Sequence, residues 1–329
     1  MIKKLTKIFL IIILFFEINL SQSIFPNLGS QRTGISTFNF LKIGVSPRGI
    51  GMSDATIALA NDISFLQKNP ASAVIEKNNS IYFSHNSWFA ETSNEHFSYL
   101  HHLSDYDAIA IGVTSFVTDD IQKRTVTMPF GTGEFVSFRD VAFSLTYARV
   151  LTDQFRFGVT VKYVNETLAE LQAQTFLFDL GALYFINFGS ARFAFVLSNF
   201  GSTIKPNGEI EQLGIGKTTD FEEFSPPTNF SLGFAFEPID NETHRVTSSI
   251  QLNHPNDNSE NFAIGSEYSW RETFFVRTGK KFKIEEQKSF SFGVGVKIPM
   301  DVNFVFVDYG VTSIGDLGFT HSISILTKF

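Results

Sequence analysis

Gly214-Ile215-Gly216-Lys217-Thr218 is the stretch whose residue types most invite a chemical reading. Glycine backbone followed by a lysine and a hydroxyl could cradle a phosphate. A phosphate loop also needs a glycine about five residues before its second glycine, and Glu211 stands there. A long polar stretch surrounds it in place of a strand and a helix, so nucleotide binding is not expected. Gly49-Ile50-Gly51 lacks the third glycine of a dinucleotide fingerprint and sits in no β-α-β pattern, so close backbone packing is its expected use. His101-His102, with His85 and His96 nearby, raises the question of a metal. Neighbouring residues of a strand face opposite sides, so the adjacent pair does not readily ligate one ion, and interfacial or lumenal histidines are expected. By the same geometry His321 and Ser322 cannot form a hydrolytic dyad. No carboxylate pair has a spacing that suits acid–base work. The chain is therefore expected to be no enzyme and to carry neither cofactor nor metal.

Composition narrows the elements that hold these residues. Phe occurs 39 times, charged residues make up 18%, the formal charge is −7 and the mean hydropathy is +0.05. There is no cysteine, which excludes disulfides, thiolate metal sites, thiol nucleophiles and a lipoprotein anchor. No basic patch points to nucleic acid. Beyond the N-terminus no run approaches the roughly 18 apolar residues of a membrane-crossing helix. Met1-Ile2-Lys3-Lys4, the apolar run Ile8 to Phe16 and the small residues of Ser21-Gln22-Ser23 form the pattern of a cleaved secretory leader over residues 1–23.

Residues 24–77 read as a compact segment with one or two short helices. Asp54-Ala55-Thr56-Ile57-Ala58-Leu59-Ala60 is small, Ala-rich and opens on a capping type of residue, while Asn69-Pro70 stops any helix there. From about Asn78 the pattern changes to a period of two. Phe155, Phe157, Val159, Val161 and Tyr163 alternate with Arg156, Gly158, Thr160 and Lys162, and Phe230 to Glu237 and Phe290 to Lys297 repeat the pattern. One greasy face and one small or polar face is the signature of a transmembrane barrel strand. Such segments fall at 78–90, 93–104, 106–118, 134–151, 153–168, 171–188, 190–202, 226–239, 242–254, 259–271, 273–284, 288–299, 301–312 and 317–329.

The predicted fold is all-β: a transmembrane antiparallel barrel of about fourteen strands over 78–329, with a helical plug segment at 24–77. Tight turns at Asp105, Thr152-Asp153 and Gly189 alternate with long polar loops at 119–133 and 203–225, as periplasmic turns and outer loops do. Asp119-Asp120 and Glu222-Glu223 lie in those loops, and Trp88, Tyr163 and Trp270 are expected in the interfacial girdles. Inward glycines at Gly112, Gly158, Gly181, Gly233, Gly265 and Gly293 leave room for a plug. Phe329 ends an amphipathic strand in the manner that barrel-assembly machinery recognises.

Phe40-Leu41-Lys42-Ile43-Gly44, Arg48, Gly51-Met52, Ala55, Ala58, Ala60-Asn61-Asp62 and Asn69-Pro70-Ala71 stand near the N-terminus, and Asp308-Tyr309, Gly318, Thr320-His321, Ser324 and Phe329 near the C-terminus. In this order they resemble the PorV/PorQ family, whose barrels are similar to FadL-type transporters. Ser53, Pro47 and Ser72 depart from the family pattern. The resemblance implies an outer-membrane component of type IX secretion. Its implied partners are cargo C-terminal β-sandwich signal domains and the secretion translocon barrel or the surface attachment complex, beside outer-membrane lipid and the assembly machinery. The family-motif positions are Arg48, Gly51, Met52, Asn69, Pro70, Asp308, Tyr309, His321 and Phe329, with a structural role expected. The competing function is FadL-type transport of hydrophobic small molecules, which requires an apolar lumen. The inward faces are mainly Gly, Ser, Thr and charges, and so favour the first.

Overall fold

Period-two alternation needs a surface on each side of a strand, and a closed sheet supplies two: lipid outside and lumen inside. In the computed structural model, which describes residues 34–59, 62–186, 189–212, 216–282, 290–300 and 303–329, the chain takes this solution. The strands in chain order begin with β1 (Ser80–Ser87), β2 (Thr92–His102) and β3 (Asp107–Thr118). A small hairpin of β4 (Ile121–Gln122) and β5 (Phe135–Val136) follows. The barrel resumes with β6 (Phe138–Val150), β7 (Phe155–Leu168), β8 (Leu171–Phe185) and β9 (Arg192–Phe200). After a second small hairpin, β10 (Ile210–Gln212) and β11 (Gly216–Thr218), come β12 (Asn229–Asp240), β13 (His244–Pro255) and β14 (Asn261–Trp270). It ends with β15 (Phe274–Phe282), β16 (Phe290–Met300), β17 (Asn303–Ser313) and β18 (Phe319–Lys328).

Among the described residues, fourteen of these strands form one closed antiparallel barrel. Each pairs with the next barrel strand in sequence, and β1 closes on β18 from Ser80↔Lys328 to Ser87↔His321. Each expected segment overlaps one barrel strand. Outward positions are aromatic or aliphatic, such as Phe193, Phe195, Phe292 and Ile325, and inward positions on the same strands are mostly small or polar, apart from Val196 and Leu326, which join the apolar clusters of the lumen segment. Short turns gather at the end where Ser80 starts and Lys328 finishes, and the stretches 119–137, 201–212 and 216–228 lie at the other. By the rule for bacterial barrels the short-turn end is periplasmic and the long-loop end faces out.

Residues 38–59 and 62–74 line the lumen with short helical pieces: 3-10 turns at Asn39–Lys42, Ile63–Phe65 and Pro70–Val74, and one α-helical turn, α1 (Pro47–Gly51). The helix expected from Asp54 does not form. Ser53 and Asp54 both take left-handed backbone, φ 54° and 61°. An N-cap needs extended backbone, so Asp54 breaks a helix where its type suggested a start, and 55–59 run as turns. Pro70 was expected only to stop a helix, and it also begins one. Asn69 is extended and its side chain accepts the Ala71 N–H at 3.0 Å, so Pro70 takes the first helical position, where a missing N–H costs nothing. The expected leader, residues 24–33 and Gly214-Ile215 of the phosphate-loop-like stretch lie outside the described residues.

Candidate functional site

The inward glycines are the bed on which this segment lies. A methyl group added at Gly310 of β17 would stand 2.5 Å from the Pro47 carbonyl oxygen, and one at Gly293 of β16 would stand 3.2 Å from Gly51 Cα. On β14 a methyl at Gly265 would stand 2.7 Å from the Met52 carbonyl oxygen, and Gly279 on β15 lies under the same residue. Gly233 of β12 faces Ile57, Gly181 of β8 faces Asn69, and a methyl at Gly158 of β7 would stand 2.5 Å from the Pro70 carbonyl carbon. Going along the chain from Pro47 to Pro70 is therefore going around the inner wall from β17 to β7. Gly112 is different, since its nearest neighbour is the Ser144 hydroxyl and not the segment. Gly279 and Gly310 complete the bed and escaped the sequence reading, although both occupy inward positions of the alternation.

Charge locks the segment to the wall. Ser46 caps α1 by accepting the Gly49 N–H at 3.2 Å, and this turn aims Arg48 across the lumen. The Arg48 guanidinium donates to Glu267 at 2.8 and 2.6 Å and to Asp62 at 2.5 Å. Arg277 donates to Glu267 at 2.6 Å and to Asp308 at 2.5 Å. Glu267 thus holds one arginine from the segment and one from the wall. All five side chains are largely buried, the most open being Arg48 at 12%. Burial opposes the Arg48 charge, but Glu267 and Asp62 outweigh it and hold the guanidinium above its ordinary range. Burial likewise opposes ionisation of Asp62, yet Arg48, Lys328 and the Ser64 hydrogen bonds keep its carboxyl below the usual value. Asn69 adds a neutral tie, donating to the Ile57 carbonyl at 2.8 Å.

The nine family-motif positions separate into three places. Arg48, Gly51, Met52, Asn69, Pro70 and Asp308 meet at the contact of segment and wall. Tyr309 points the other way from Asp308, and its hydroxyl meets His321 Nδ1 at 2.6 Å on the lipid-facing surface. Phe329 closes the seam by donating its N–H to the Asn79 carbonyl at 2.9 Å. Glu267 and Arg277 are the partners that motif reading missed. Their signal was a charge in mid-strand on the inward face, between Gly265 and Ser269 and between Phe275 and Gly279.

The remaining candidates disperse. His85 pairs with Glu95 at 2.5 Å, and His96 is buried against Thr114 at 2.8 Å. No group of three metal-ligating residues occurs among the described residues. His321 is exposed while Ser322 faces inward, so they share no face. Tyr163 and Trp270 lie on the outer wall, whereas Trp88 lines a cavity at the long-loop end. Asp119-Asp120 and Glu222-Glu223 are exposed at that end, and the β4–β5 hairpin there presents Val126 and Phe130 at 96% and 93% exposure.

A closed barrel with lipid-facing aromatics and a lumen occupied by its own chain defines an outer-membrane β-barrel protein. The family model described as type IX secretion system protein PorV matches residues 27–255. The chain belongs to that family. A comparison with curated proteins gives no match. Among solved structures the chain is similar to the Pseudomonas putida toluene transporter TodX, at 12% identity over 91% of this chain and 99% of that one, with a TM-score of 0.58. The Ralstonia pickettii toluene transporter TbuX matches at 12% identity over 87% and 97%, TM-score 0.56. A Pseudomonas aeruginosa FadL homologue matches at 9% identity over 87% and 98%, TM-score 0.56. At such identities the likeness is one of fold.

Proposed function

We propose that this barrel serves type IX secretion by binding protein partners at its long-loop end, namely exported cargo signal domains, the translocon barrel or the attachment complex, and that its role is binding and not catalysis. The observation that carries this reading is the lumen: the chain itself lies on inward glycines of the wall, and a buried charge network holds it there. Function then falls to the rim, where rigid scaffolds commonly hold binding loops. The β4–β5 hairpin suits that use. Its strands are tied by Lys123 N–H to the Glu134 carbonyl at 2.9 Å, and it lifts Val126, Met128 and Phe130 into solvent. Exposed apolar patches mark interaction surfaces, and this hairpin carries three exposed apolar side chains in close succession.

Replacing Val126 and Phe130 together by serine is expected to leave the barrel assembled and to trap cargo in the periplasm, measured as the ratio of periplasmic to surface cargo. Normal cargo export by an assembled variant removes the hairpin from the account, and normal export from cells lacking the whole protein removes the secretion role. Export of the protein itself through a leader over residues 1–23 belongs to the same reading. The form isolated from outer membranes is expected to begin at Ile24, which N-terminal sequencing checks.

FadL-type transport is the second reading, favoured by a bulge in the wall. The β8–β9 register shifts between Phe178 and Leu180, and Asn199 there takes φ 56°. Against it, the bulge is tied from inside. Lys162 reaches Asp179 at 2.6 Å and Asn199 at 2.8 Å, and Asp179 accepts the Asn199 N–H at 2.7 Å.

A further inference from the structure

At the long-loop end a cavity of about 520 Å³ lies between the Asn39–Lys42 turn and the wall. Its sides are aromatic: Phe40, Trp88, Phe116 and Phe138. Two carboxylates, Asp140 and Glu166, line it and face each other directly across the β6–β7 pair. Like charges directly opposite on neighbouring strands destabilise a sheet, so this arrangement calls for a compensating cation or a proton. The protein supplies little. Glu166 accepts the Thr37 hydroxyl at 2.6 Å and the Phe38 N–H at 2.7 Å, both neutral donors. Among the described residues Asp140 has no hydrogen-bond or ion-pair partner. Lys42, the one cationic side chain lining the cavity, is turned to Asp257 at 2.6 Å.

We propose that this cavity binds a cationic group carried on an apolar stem, an ammonium or guanidinium, with its charge against Asp140 and Glu166 and its stem between the four rings. Aromatic faces attract cations, and most strongly where water is excluded. A carboxylate adds a charge-assisted hydrogen bond, which is about twice as strong as a neutral one. The cation can come from a free amine or from a lysine or arginine side chain of a polypeptide reaching the rim. The proposal does not depend on the secretion reading.

The chain has two tryptophans, and Trp270 is on the outer wall at the opposite end. The full-length W270F protein in detergent therefore leaves Trp88 as the only indole reporter. Titration with phenethylammonium is expected to change Trp88 fluorescence saturably, while the neutral isostere 2-phenylethanol binds at least about tenfold more weakly, the ratio equivalent to about 1.4 kcal/mol. Asp140→Asn, which breaks no contact among the described residues, is expected to weaken the amine by a similar factor and to leave the alcohol unchanged. Equal binding of amine and alcohol, or an amine affinity indifferent to D140N, overturns the proposal. A short arginine peptide set against its citrulline counterpart separates the sources. Charge-selective binding of the peptide alone assigns the site to polypeptide, and of the free amine alone to a small molecule.

Discussion

Replacing Arg48 by alanine should destabilise the folded protein by about 3–5 kcal/mol, the cost of breaking a buried ion pair by removing one partner. The size follows from what remains. Asp62 and Glu267 stay buried, and Glu267 keeps Arg277 while Asp62 loses its nearest positive charge in the segment. The ring of Phe65, 5.1 Å from the Arg48 guanidinium carbon, loses its cover as well. Lysine at the same position should recover only part of the loss, because a single ammonium cannot reproduce a guanidinium that donates to Glu267 twice and to Asp62 once. Denaturant unfolding in detergent micelles gives the magnitude. Limited proteolysis gives the place, since cleavage between residues 38 and 74 should appear in R48A before the barrel opens. An R48A protein with an unchanged unfolding midpoint and an intact segment contradicts the lock. The network is specific without being a net source of stability: taking two arginines and three carboxylates out of water costs energy that their pairing only offsets.

Valine at Gly158 should release the same segment from the opposite side. Valine is a good strand residue, and on wall geometry alone it should be tolerated. The obstacle is the lumen. A methyl at Gly158 would stand 2.5 Å from the Pro70 carbonyl carbon, 2.6 Å from its oxygen and 2.7 Å from Ala71 N. These are backbone atoms, so no rotamer change relieves them, and the cost should reach the upper part of the roughly 1–3 kcal/mol range for overpacking. Gly112→Ala is the contrasting case. There the nearest atom is the Ser144 hydroxyl, 2.6 Å from an added methyl, and it can swing aside. The two variants compared by unfolding midpoint and by protease sensitivity of residues 38–74 test whether the glycines serve the segment. Equal effects at Gly158 and Gly112 would mean they do not.

The barrel was legible because its signal is local and repeated. Phe155 to Tyr163 alternate with small and polar residues, and lipid on one side and lumen on the other are the two surfaces that this pattern meets in the barrel. The segment inside was legible only in part. Asp54 carries the residue type of a helix start, but its carboxylate is instead near partners that no local window contains: Lys68 at 3.8 Å and Lys281 of β15 at 4.0 Å. Pro70 was recognised as a breaker, yet whether a proline ends one turn or begins another depends on the cap before it, here Asn69. The charge lock was the least accessible part. Arg48 and Glu267 are 219 residues apart, and only barrel closure brings them together. What the alternation did offer was that a charged residue at an inward mid-strand position must have a partner. Applied to Glu267, Arg277 and Asp308 together, that rule points to a shared one.

Capture of the tagged protein from mildly solubilised outer membranes, with mass spectrometry of what accompanies it, tests the central claim most directly. A lumen occupied by the chain itself and a rim built for contact predict recovery of protein partners: a very large barrel, or cargo ending in β-sandwich signal domains. Recovery of lipid or fatty acid with no protein partner would contradict that account and turn the barrel into a transporter of hydrophobic molecules.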